Sequence, residues 1–204
     1  MATLRGALNR VGSRLAVAEL RRAGIDIGAG ARLLGTPLVT LASGSRMRLG
    51  ERFLGISRSC DTALGVAHAI VLRTLREGAL LEIGDDVGMS GGSICSALRV
   101  SIGDGCLLGA DVTVLDTDFH PAHHAHRRYA ALPPPEPEDA VIIESNVFVG
   151  TRAIILRGSR IGKDAVIGAG AVVKGVVEPG SLVGGNPARL IRPRFDVQQE
   201  HWVR

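Results

Sequence analysis

The sequence predicts an all-β chain: a parallel coil of six-residue repeats, preceded by one helix and broken by one long excursion. Three observations predict it. An apolar residue returns at every sixth position, at Ile143, Val149, Ile155, Ile161, Ile167 and Val173. Small or modest residues fill the slot four places on, at Val147, Ala153, Ser159, Ala165, Ala171 and Val177. The composition, with 27 glycines, 46% apolar residues and only 3% aromatics, suits thin, regular layers with glycine at the corners. A period of six is neither the 3.6 of a helix nor the 2 of a strand. It describes a coil with flat sides, each side using one repeat. Three short strands make a triangular turn, and successive turns stack at roughly 4.8 Å through backbone hydrogen bonds along the axis. Glycine supplies corners that need positive φ.

The elements follow in order. Residues 1–24 read as a helical cap, because Leu4, Leu8, Val11 and Leu15 recur at spacings of three and four. Arg5, Arg10, Arg14, Arg21 and Arg22 give it a basic side, so it either covers the first coil or lies on a membrane surface. The coil occupies 25–192. It begins at Ile27, Leu33 and Val39 and is blurred from 40 to 80, where Leu49–Gly50 and the alternation Ile70, Leu72, Thr74 suggest strands without a single frame. It returns at Ile83, Met89 and Cys95, slips by one residue, and continues at Ile102, Leu108 and Val114. From Phe119 to about Ala140 the register is lost, and it resumes at Ile143. Gly184 to Arg192 closes the coil, and 193–204 forms a tail.

Several function classes are disfavoured. No uncharged apolar run of about 18 residues exists, so no integral membrane segment is expected. The basic N-terminus lacks an unbroken apolar stretch and a small-residue cleavage site, which points to the cytoplasm. The net charge is +4, and all cationic residues except Lys163 and Lys174 are arginines. This is either a compositional bias or an affinity for anionic groups; no nucleic-acid partner is expected. Cys60, Cys95 and Cys106 form no CxxC pair and read as buried free thiols. Gly28–Ala29–Gly30 and Gly168–Ala169–Gly170 lack a third glycine and read as coil corners, not nucleotide loops.

Particular segments carry a family likeness. Ile83–Gly84–Asp85–Asp86–Val87–Gly88, Ser101–Ile102–Gly103–Asp104–Gly105, Ile161–Gly162–Lys163–Asp164–Ala165, Asp118–Phe119–His120–Pro121 and Gly185–Asn186–Pro187–Ala188–Arg189–Leu190–Ile191–Arg192 resemble hexapeptide-repeat acyltransferases. The likeness covers roughly residues 80–192. Within that family these segments look most like the sugar O-acetyltransferases, including galactoside and maltose acetyltransferases and polysaccharide-modifying relatives. The resemblance implies a left-handed parallel β-helix, an exception to the usual right-handed crossover. It also implies a homotrimer with active sites between subunits, acetyl-CoA as acyl donor and a small-molecule or glycan acceptor.

The interruption is where chemistry is expected. Residues 116–128 read Asp-Thr-Asp-Phe-His-Pro-Ala-His-His-Ala-His-Arg-Arg. By resemblance the His before Pro, His120, is the catalytic base. A sugar hydroxyl is a poor nucleophile at neutral pH, and an imidazole with pKa near 6.5 can take its proton as the oxygen attacks a thioester. A carboxylate on the second ring nitrogen would fix the tautomer, with Asp118 or Asp116 as candidates. His123, His124 and His126 read as solvated loop residues, as acceptor contacts (His123, His124), or as metal ligands of the γ-carbonic-anhydrase kind. No metal is expected. The run Pro133–Pro134–Pro135–Glu136–Pro137 is a stiff arm, either a connector or a wall of the acceptor site.

The resemblance places the pantetheine arm of CoA along Gly150, Thr151 and Ala169, with the Thr151 N–H as oxyanion donor. It sets Arg189 and Arg192 toward the CoA phosphates, with Lys174 displaced by one residue from the usual lysine. Ser90 falls near a polar acceptor contact. Two departures stand out: Phe148 where relatives carry Trp, and Val173–Lys174–Gly175 where they carry Thr-Lys-Asp. The expected activity is acetyl transfer from acetyl-CoA to a sugar or polysaccharide hydroxyl. The rivals are amino-sugar N-acetylation, a carbonic-anhydrase-like metalloenzyme, and a non-catalytic scaffold.

Overall fold

The computed structural model describes residues 2–123 and 125–193, with the backbone course alone for 2–10. The helix α1 (Ala2–Arg22) leads into seven coils of a triangular prism. Face A stacks β1 (Asp26–Ile27), β4 (Arg46–Leu49), β7 (Leu80–Ile83), β10 (Arg99–Ile102), β13 (Val141–Ile143), β16 (Arg160–Ile161) and β19 (Val176–Val177). Face B stacks β2 (Arg32–Leu34), β5 (Leu54–Ile56), β8 (Gly88–Ser90), β11 (Leu107–Leu108), β14 (Phe148–Val149), β17 (Val166–Ile167) and β20 (Leu182–Gly184). Face C stacks β3 (Leu38–Thr40), β6 (Val71–Thr74), β9 (Ser93–Ser96), β12 (Thr113–Leu115), β15 (Ile154–Ile155) and β18 (Val172–Val173). Every pairing within these stacks is parallel. At the far end β21 (Arg189–Arg192) folds back antiparallel on β20.

The register positions form the core. Ile143, Val149, Ile155, Ile161, Ile167 and Val173 are all buried, and so are the modest residues four places on. Ser159 is the one hydroxyl among them, and its Oγ donates to Leu156 O (2.6 Å) and Val173 O (3.3 Å). The Cys106 thiol is buried and donates to Glu144 O at 3.0 Å.

Two sequence expectations need correction. Cys95 does not enter the core. The frame shifts at Gly91–Gly92, where both residues have positive φ and a Cβ on Gly92 would strike the Val112 carbonyl. This tight corner shortens the spacing, so Ile94 points inward and Cys95 outward, half-buried. Cys60 is exposed, in a second and shorter excursion between β5 and β6, residues 57–70, that the sequence left as a blur. The blur has a cause. Strands β4, β6 and β7 are four residues long, not two, and carry two inward residues each.

Helix α1 lies against the first coil. Ala16 and Val17 are buried, and the Ser13 Oγ accepts the Leu33 N–H at 2.8 Å. The Arg21 guanidinium donates to the Ile27 carbonyl at 2.6 Å and the Gly28 carbonyl at 3.2 Å.

Candidate active site

The edge between faces B and C is a column of stacked corners. Ser90, Ala110, Thr151 and Ala169 follow one another along it. Asp111 N–H donates to Ser90 O (2.9 Å), Arg152 N–H to Ala110 O (2.8 Å) and Gly170 N–H to Thr151 O (2.9 Å). The Thr151 hydroxyl donates to Ala110 O at 2.7 Å, which turns it along the edge. Glycine makes this stacking possible. A Cβ on Gly109 would sit 2.7 Å from Thr151 N, and one on Gly150 2.5 Å from Ala169 N. Among the described residues the Thr151 N–H has no backbone acceptor. The edge therefore offers a free, rigid donor beside small residues, the geometry an oxyanion site requires.

The edge between faces C and A carries the long excursion. After β12 the chain turns in at Asp116, which is fully buried. Its carboxylate accepts N–H groups of Ala97 (2.6 Å), Leu98 (2.8 Å) and Arg99 (2.7 Å) and the Ser96 hydroxyl (3.0 Å). Four residues on, His120 N–H donates to Asp118 O at 2.7 Å across Phe119, whose φ is 59°. This is a three-residue γ-turn of the rare positive-φ type, a strained conformation costing about 1–3 kcal/mol. It projects His120 into solvent.

Arg157, from the next coil, closes the base of the excursion. Its Nε donates to Asp118 Oδ2 at 2.8 Å and its Nη1 to Asp139, so it holds the outgoing and returning strands together. These two carboxylates, Asp139 first, raise the arginine pKa above its ordinary value. Asp139 also ends a short 3₁₀ turn (Pro137–Asp139), where its Oδ2 accepts the Glu136 N–H at 3.0 Å. Further along the arm, Arg76 donates to the carbonyls of Leu132 and, at 2.6 Å, Pro133. The proline run is thus fastened back along the prism toward coil two.

The candidate residues fall in three places. Gly150, Thr151, Ala169 and Ser90 share the B–C edge. His120 and exposed His123 stand on the excursion at the C–A edge, where exposed Lys174 also lies, two coils further on. Arg189 and Arg192 are on the antiparallel β21, fully outside the coil. His124 lies outside the described residues, as does the tail from 194. A single chain does not bring His120 to Thr151, because face C separates their edges. Asp118 requires a correction. Its carboxylate is taken by Arg157, and among the described residues no carboxylate bonds the His120 ring. Asp116, the other candidate, is spent on the backbone. Among the described residues no three His, Cys, Asp or Glu side chains gather as metal ligands. Arg157 and Arg76 had no sequence signal, since an isolated arginine in a corner looks like any solvated one.

The prism and its hexapeptide corners define a fold class: an all-β, left-handed parallel β-helix of six-residue repeats. Residues 140–175 match the family described as bacterial transferase hexapeptide (six repeats), and residues 99–114 match the hexapeptide repeat of succinyl-transferase. A curated relative, 2,3,4,5-tetrahydropyridine-2,6-dicarboxylate N-acetyltransferase of Staphylococcus aureus (strain JH9), is 46% identical over 65 residues, 31% of this chain. The chain spans only 27% of that relative's length. An N-acyltransferase from Bacillus cereus, solved in complex with dTDP and 3-hydroxybutyryl-CoA, superposes with a TM-score of 0.60 at 15% identity, over 87% of this chain and 88% of that one. A polysialic acid O-acetyltransferase superposes with a TM-score of 0.54 at 17% identity, over 87% and 92%. The structural likenesses establish the fold.

Proposed function

We propose that this chain is an acetyltransferase that moves the acetyl group of acetyl-CoA to a hydroxyl of a sugar or polysaccharide, with His120 as general base. The observation that carries the reading is the separation of two half-sites on different edges of one prism. One half-site is a histidine on a clamped, strained loop. The other is a glycine-backed edge with a free Thr151 N–H. A second copy of the chain, set beside the first in a homotrimer, completes each site. The outward residues fit such packing. From the third coil onward faces B and C present neutral columns, including Leu107 and Phe148 on B and Thr113 and Ile154 on C, with Arg32 on B and Arg73 on C confined to the first two coils, whereas face A presents Arg46, Arg48, Glu82, Arg99 and Arg160. Charged residues are depleted in the centres of stable interfaces.

In this reading the thioester lies along the B–C edge and its carbonyl oxygen meets the Thr151 N–H. Gly150 and Ala169 let the pantetheine approach the backbone. Arg189, Arg192 and Lys174 offer cations to the phosphates of CoA. The acceptor oxygen attacks the thioester carbon while His120 takes its proton. Collapse of the tetrahedral intermediate expels the CoA thiolate, which receives that proton from the imidazolium or through solvent. Ser90 and His123 contact the acceptor, and His124 is a candidate for the same role by its place in the sequence. Asp118 acts through its backbone carbonyl and its tie to Arg157, as a positioning residue.

The test is an acceptor screen with acetyl-CoA and free-thiol detection, comparing the native chain with His120→Ala. Thiol release with the native chain and its loss in the variant support the reading; full turnover by the variant overturns the base. Light scattering should give three chain masses, and a stable monomer at micromolar concentration would leave the half-sites apart. A second reading is N-acetylation, favoured by the N-acetyl- and N-acyltransferases among the relatives. Hydroxylamine separates the two, since it cleaves an ester product and spares an amide.

A further inference from the structure

We propose that the outer face of α1 docks the protein on an anionic lipid bilayer. By sequence spacing the helix has two apolar stripes about half a turn apart. One, Ser13, Ala16, Val17 and Leu20, lies against the first coil. The other follows the spacing Leu4, Leu8, Val11, Leu15, about half a turn away at 3.6 residues per turn. Within it Val11 is 57% and Leu15 62% exposed, one helical turn apart on the solvent side. A cap needs only the first stripe, so the second is unexplained by the fold.

Charge selects the occupant. The helix carries five arginines and one glutamate, a net of +4, equal to the net charge of the whole chain (24 basic and 20 acidic residues). The remainder of the chain is neutral in sum, so the cationic character of this protein is concentrated on one helix at one end of the prism. Arg14 and Arg22 are exposed beside and at the end of the outer stripe. A second copy docked stripe to stripe would bring ten arginines together against two glutamates. A soluble polyanion would satisfy the arginines and leave the valine and leucine in water. A bilayer with anionic headgroups satisfies both: the apolar stripe enters the headgroup–acyl boundary and the guanidinium groups meet phosphates. The helix is held to the coil by its other face, by the Ser13–Leu33 hydrogen bond and by the Arg21 contacts, so docking needs no unfolding. The described helix is not long and apolar enough to cross a membrane, which fits a surface role.

The test uses the full chain with sucrose-loaded vesicles of phosphatidylcholine, with and without phosphatidylglycerol. Sedimentation with the anionic vesicles and its loss at high salt are expected. Arg14→Gln or Arg22→Gln should each weaken partitioning by about fivefold. Leu15→Gln should weaken it about tenfold with the melting temperature unchanged, because the residue is exposed. Absence of binding to anionic vesicles, equal binding to phosphatidylcholine alone, undiminished binding by Leu15→Gln, or a doubling of particle mass that depends on Leu15 would each overturn the proposal.

Discussion

The B–C and C–A edges of the same prism solve opposite problems. Along coils three to six the B–C edge is as tight as backbone allows, with Gly109 and Gly150 lying where any Cβ would strike the next coil. It is smooth, regular and spelled out by the repeat. The C–A edge lets 25 residues leave the coil between β12 and β13 and then spends side chains to control them. Asp116 anchors the departure on three N–H groups, Arg157 ties departure to return, and Arg76 fastens the arm. The difference teaches that a repetitive scaffold makes a rigid donor surface cheaply, while a positioned histidine requires non-repeated ion pairs. A paired carboxylate and guanidinium at partial exposure is weak as a stability device. Its value here is in fixing where the loop starts and ends.

Predictions follow that contrast. The largest effect is expected at the loop's tip: His120→Ala should lower kcat/KM by about 10²–10⁴ and leave the melting temperature unchanged. Comparable turnover would remove the C–A edge from the chemistry. On the other edge, Gly150→Ala forces two coils apart and should cost about 1–3 kcal/mol of stability in denaturant titration. It should also diminish stabilisation by acetyl-CoA; an unchanged midpoint would mean the corner is not close-packed. Arg157→Gln frees Asp118 and Asp139 and should reduce kcat about ten- to a hundredfold through misplacement of the histidine. KM for acetyl-CoA should stay nearly constant, and Arg157→Lys should recover part of the loss. A rise in KM with kcat intact would place Arg157 at the donor instead. The smallest effect concerns thiols. Burial pushes the Cys95 and Cys106 thiols up in pKa, so a thiolate-selective reagent should modify exposed Cys60 about tenfold faster or more. Equal labelling would mean that the coils open readily.

Legibility followed regularity. From Phe148 to Val173 each strand is two residues, and from Ile143 onward each coil spans 18, so the apolar period stands out. Earlier coils hide it, because four-residue strands bring in extra inward residues such as Leu81 and Val100, and the Gly91–Gly92 corner drops one position. His120 was legible from its Pro and its place in the break. Its supports were not. Asp118 looked like its partner because it is two residues away, yet a positive φ at Phe119 turns the backbone and leaves the carboxylate to Arg157, 39 residues later.

The sequence by itself determined the coil, its core and the place where it breaks, because a six-residue apolar repeat with glycine corners admits few other ways to bury its side chains. Only the tertiary structure decided which edge each candidate residue occupies and which carboxylate meets which arginine. Those depend on how many residues each coil uses and on contacts between coils far apart in the chain. A local spacing does not encode either.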